Sequence, residues 1–124
     1  MNREAIIVGA TATTAGGLTA VSLFESLRAS YFGNLANIDE QRAIEHQRVL
    51  AYFKDHPEKF APGVSADSLT NKLNAANDSA VAYSNLSENA NAWADYTMES
   101  IPYVLVAGIF VILVSLGMRL RQKA

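Results

Sequence analysis

The run YVLVAGIFVILVSL, from Tyr103 to Leu116, is almost wholly valine, isoleucine, leucine and phenylalanine, and it lies within nineteen residues, Ser100 to Met118, that carry no charge. As a helix rising 1.5 Å per residue, these nineteen reach roughly 28 Å, close to the ~30 Å hydrocarbon thickness of a bilayer. A fully buried core helix of that length needs apolar surface on every side, and a chain of 124 residues has too little left to wrap it. Residues 100–118 therefore read as a membrane span. Tyr103 stands at one edge and the tail 119–124, with Arg119, Arg121 and Lys123, follows the other, an aromatic anchor opposite a cationic one.

At the other end, Ala5 to Phe24 is also free of charge, but its twenty residues include five alanines, four threonines and three glycines. Insertion of this stretch alone is marginal. Its small residues recur every four positions, in one row through Ala5, Gly9, Thr13 and Gly17 and a second through Ala12, Gly16 and Ala20. Helices in lipid associate through such rows, where backbones approach closely and threonines hydrogen-bond. Residues 1–24 are thus expected to form a small-residue-rich transmembrane helix with Gly9, Thr13, Gly16, Gly17 and Ala20 as its packing interface. Its partner is either the second span or a neighbouring copy. The opening Met1-Asn2-Arg3-Glu4 lacks the basic start of a signal peptide, and the stretch lacks the charged face of a helix lying on the membrane surface.

Between the spans, residues 25–99 hold eleven acids against six bases, so the overall charge of −2 conceals an acidic middle. The cationic tail places the C-terminus on the cytoplasmic or equivalent side, and two spans bring the N-terminus to the same side. The acidic module then lies opposite. Asn37 can cap a helix over about 38–55 with an acidic first turn, and Pro57 ends it. A second helix over about 66–99 starts at Ser65 or Asp67. Leu69, Leu73, Ala76, Ala80 and Tyr83 begin a seven-residue repeat that continues through Ser87, Ala90, Ala94 and Thr97. That repeat is a seam for another helix, its mate over 38–55 or another molecule. Pro102 suits a first helical turn with Ser100 as cap, so a stop or kink is expected near Glu99. The fold class is an all-α membrane protein, two transmembrane helices flanking an external helical hairpin.

Residue chemistry is sparse. Without cysteine there is no thiolate site or disulfide. His46 and His56 belong to no metal-ligand spacing and read as solvated. Gly16-Gly17 lacks the strand and lysine of a phosphate loop, and no serine elbow occurs. Asn77-Asp78-Ser79 and Asn85-Leu86-Ser87 match the glycosylation pattern, as chance allows in so asparagine-rich a segment. Ten bases against twelve acids argue against nucleic acid. No catalytic, cofactor or metal site, and no small-molecule substrate, is expected.

By class the arrangement resembles the membrane part of a bacterial receptor, a phage holin, or the small membrane proteins that scaffold membrane complexes and lipid-containing virions. A receptor needs an output domain that the tail from Arg119 does not provide, and a holin sits poorly with so large an external part. The expectation is a non-catalytic scaffold in a cell inner membrane or virion membrane. Its partners are lipid and either further copies of itself or other subunits of a membrane complex.

Overall fold

The structure, a computed structural model, describes residues 2–123. It is all-helical, with no strand among the described residues: α1 spans Arg3–Asp55, a single 3-10 turn covers Pro57–Lys59, and α2 spans Ala66–Lys123. Each long helix starts on a side-chain cap. Asn2 Oδ1 accepts the Ala5 N–H at 2.8 Å. Ser65 and Ser68 cap reciprocally, Ser65 Oγ accepting from the Ser68 N–H at 3.1 Å while Ser68 Oγ accepts from the Ser65 N–H at 3.3 Å. Pro57 ends α1 as its lost N–H and fixed φ demand. The turn back passes through Gly63, whose φ of +94° only glycine adopts readily.

Two compact units divide the chain, one of residues up to Leu27 together with those from Ala90 on, the other of Arg28–Asn89. In the second unit, α1 buries Ala29, Ala36 and Ala43, seven residues apart, and α2 buries Leu69 and Ala80, with Leu73, Ala76, Tyr83 and Ser87 half-buried between and beyond them. The two segments run antiparallel. Ser87 Oγ donates to the Ala29 carbonyl at 2.8 Å, and the rings of Phe32 and Tyr83 stack 6.1 Å apart. A serine reaches a neighbouring helix's carbonyl only when the backbones are close, which alanine in the facing layer permits. Asp39 is buried in this layer, and Arg42, one turn on, bonds its Oδ1 at 3.3 Å. At the turn, His56 is exposed, with its ring 4.8 Å from that of Tyr52 and Nδ1 3.7 Å from Glu58.

Two sequence expectations fail here. Asn37 caps nothing, because α1 runs unbroken through residues 25–37. That stretch has no proline, and its Ala29, Phe32 and Ala36 keep the inward spacing, so contact with α2 carries the helix past Gly33, Asn34 and Asn37 despite their weak propensity. Nor does α2 stop near Glu99. It continues through Pro102, whose side chain lies on an exposed face. Ser100 is no cap either: its hydroxyl donates back to the Tyr96 carbonyl at 2.8 Å. Thr97, Ile101 and Val104 are buried or half-buried on either side of the proline, and this packing holds the helix across the missing backbone bond.

Both helices contain a stretch long and apolar enough to cross a membrane, and only 6% of the most apolar part of each is buried. Tyr103, Val106, Phe110 and Leu113 point outward, Tyr103 with 78% of its surface exposed. Burial within this chain therefore does not account for their apolar composition.

If close approach through alanine holds the second unit together, Ala36→Leu should lower its stability by about 1–3 kcal/mol through overpacking. The exposed Ala82→Leu should stay within about 0.5 kcal/mol of the parent. Urea unfolding followed by helical circular dichroism checks both, and equal losses would remove the explanation.

Candidate helix-packing surfaces

In the first unit α1 turns Glu4, Ile7, Thr11, Ala15, Leu18 and Ser22 inward, at spacings of three and four. Ser22 is buried, and its Oγ donates to the Ala94 carbonyl at 3.0 Å. On α2, Ala90, Ala94, Thr97 and Gly108 are buried. Gly108 sits directly against Thr11: a Cβ built on it would press on Thr11 Oγ1 and meet Thr11 Cγ2 at 2.7 Å and Cβ at 3.0 Å. No residue larger than glycine fits there without displacing Thr11.

A polar clamp closes the end of this unit where α1 begins and α2 finishes. Arg119 Nη2 donates to Glu4 Oε2 at 2.6 Å, and Ser115 Oγ donates to Glu4 Oε1 at 3.2 Å. The Glu4 side chain is 15% exposed and that of Arg119 42%, so the carboxylate is the more enclosed partner. An arginine and a serine on one face of α2 thus satisfy both oxygens of one carboxylate on α1.

The small-residue rows lie elsewhere. Gly9, Thr13, Gly16, Gly17 and Ala20 are all exposed, and a Cβ on any of the three glycines would meet nothing within 4 Å. Of the two partners considered for them, the chain's own second helix is not the one. The choice was not readable in composition, because alanine, threonine and glycine occupy nearly every side of this stretch and several rows have the same spacing. The missed residues are Glu4, Thr11, Ser22, Gly108 and Ser115. One signal was available for the clamp: Glu4 and Arg119 are opposite charges bordering the two charge-free runs.

The second set fares differently. Leu69 and Ala80 are buried and Leu73, Ala76 and Tyr83 half-buried, on one face of α2 within the Arg28–Asn89 unit. That face is occupied by α1 of the same chain. Arg119, Arg121 and Lys123 fall in the last turns of α2, Arg119 in the clamp. Among the described residues, no group of three or more histidines, aspartates and glutamates lies together as a metal site.

No protein family, curated protein or solved structure gives a match to this chain.

The Thr11–Gly108 contact makes a paired prediction. Gly108→Ala should destabilise the helix pair by about 1–3 kcal/mol, and adding Thr11→Ala should recover part of the loss, since Oγ1 and Cγ2 are then gone. Thermal unfolding of the purified protein in detergent reads the cycle. Simple additivity would show that the two residues do not touch.

Proposed function

We propose that the protein is a non-catalytic integral membrane component with a scaffolding role, crossing the bilayer through residues 5–24 and 100–118 and packing laterally into a larger membrane assembly. The observation that carries this reading is the outward-facing apolar surface of both helices, in whose most apolar stretches only 6% of the residues are buried. Lipid is the environment in which such a surface is stable. The helical hairpin of residues 25–99 then lies on the face opposite both termini, and the cations Arg119, Arg121 and Lys123 mark the cytoplasmic or equivalent side.

Trp93 and Tyr96, both exposed and in edge-to-face contact at 5.9 Å, flank Ala94, whose carbonyl Ser22 bonds near the end of the 5–24 stretch, and so suit the opposite interface just outside 100–118. Lateral association falls to the outward row of Gly9, Thr13, Gly16, Gly17 and Ala20, with another copy or another subunit as partner. A holin-like lesion is less well supported. Exposed Thr14 and Thr19 donate their hydroxyls to the Ala10 and Ala15 carbonyls, each at 2.8 Å, which leaves little polarity to line a pore.

Single cysteines at Asn2, Ser68 and Lys123, probed with an impermeant thiol reagent on intact cells and on inverted vesicles, test the topology. Asn2→Cys and Lys123→Cys should label from one face and Ser68→Cys from the other. Labelling of Asn2→Cys and Ser68→Cys from the same face would sink the two-span arrangement. Expression of the protein alone should leave the membrane potential intact, and abrupt collapse would instead favour the lesion-forming alternative.

A further inference from the structure

Along one flank of the first unit, the groove between the helices changes character. Beside the Glu4–Arg119 clamp it is a polar cleft of about 330 Å³ lined by Asn2, Arg3, Ser115, Met118, Arg119 and Gln122. Further along it becomes an apolar furrow of about 370 Å³ whose walls include Ile7, Ala10 and Thr14 of α1 and Ala107 and Val111 of α2. Arg3, Ile7, Ala10 and Thr14 follow one another at four, three and four residues, as do Val111, Ser115, Met118 and Gln122, so cleft and furrow share one flank of each helix. Arg3 to Thr14 covers about 16 Å of helix, half of the ~30 Å hydrocarbon core and therefore the depth of one leaflet.

The geometry points to a binding site for one anionic phospholipid, its phosphate in the cleft and an acyl chain along the furrow. The site rests on the membrane reading above. Charge selects the ligand: Arg3 and Arg119 line the cleft, Arg121 and Lys123 follow in the last turn, and Glu4 is engaged with Arg119. Because Glu4 holds Nη2 of Arg119, the exposed Arg3 is the principal phosphate partner, with Asn2 and Gln122 beside it. A zwitterionic lipid presents the same phosphate with a cation that these arginines repel. Inorganic phosphate would satisfy the cleft and leave the furrow empty.

Full-length protein extracted into detergent is mixed with phosphatidylglycerol or phosphatidylcholine, and retained lipid is counted by native mass spectrometry with inorganic phosphate as competitor. One phosphatidylglycerol should be retained in preference to phosphatidylcholine and should resist displacement by phosphate. Arg3→Gln should lower that retention about fivefold, equivalent to ~1 kcal/mol for one cation near an anionic headgroup. Ala107→Trp should lower it as well, since it fills the furrow from an exposed position without altering charge. Equal retention of the two lipids overturns the site, and so does a loss in Arg121→Gln as large as in Arg3→Gln, which marks diffuse attraction. Displacement by phosphate with Ala107→Trp unaffected reduces the site to a plain anion cleft and also overturns it. Failure of the membrane reading is seen separately and earlier, as protein released from membranes by a carbonate wash.

Discussion

Close approach of paired helix backbones is the constraint on which the rest of this structure depends, and each compact unit carries a bond that requires it. In one, Ser22 donates to the Ala94 carbonyl, and in the other Ser87 donates to the Ala29 carbonyl. A serine side chain is too short to reach across a layer of leucine or isoleucine, so the facing positions must be small. They are: six of the seven buried hydrophobic residues among those described, Ala29, Ala36, Ala43, Ala80, Ala90 and Ala94, are alanine, with Gly108 at the tightest point. Such layers bury little apolar area per residue, and their stabilisation comes from dispersion between closely set backbones and from hydroxyl bonds to carbonyls.

This explains which parts of the fold were legible. The seven-residue repeat from Leu69 to Thr97 could be read because leucine and tyrosine punctuate the alanines, and it coincides with the inward face of α2. The inward face of α1 was hidden. From Gly9 to Gly17 every residue is glycine, alanine or threonine, so period alone does not separate the face through Thr11 from the one through Gly9, Thr13 and Gly17. Local breakers misled in the same way. Asn37 and Pro102 favour a cap and a helix start when only neighbouring residues are weighed, whereas the inward positions around them, Ala36 and Asp39 for the first, Ile101 and Val104 for the second, hold the helices continuous. Tertiary packing outweighs propensity at both places.

The candidate surfaces divide along the same line. A face that meets the chain's own helix carries the matched groups: Glu4 with Arg119 and Ser115, Thr11 with Gly108, Ser22 with the Ala94 carbonyl. The outward face of α1 keeps Gly9, Gly16 and Gly17 with open space around them. Glycine within a helix costs about 0.5–1 kcal/mol relative to alanine. Three such positions on an unpaired face have no compensation inside the described chain, which is the physical ground for looking to a neighbouring helix for it.

The clamp also bears on orientation. Arg119, Arg121 and Lys123 count as three cations in the sequence, yet Arg119 meets a carboxylate that borders the opposite charge-free run. On the proposed membrane reading, this salt bridge would sit at the bilayer edge and be screened far less than one in water, because one side would face low dielectric. The pair therefore does two things that a lone arginine does not: it fixes the register of the α1 start against the α2 finish, and it leaves Arg3, Arg121 and Lys123 to set the electrostatic sign of that end. In the membrane arrangement proposed above, orientation and helix registration would be coupled through Glu4, a residue that a charge count over the tail alone leaves out.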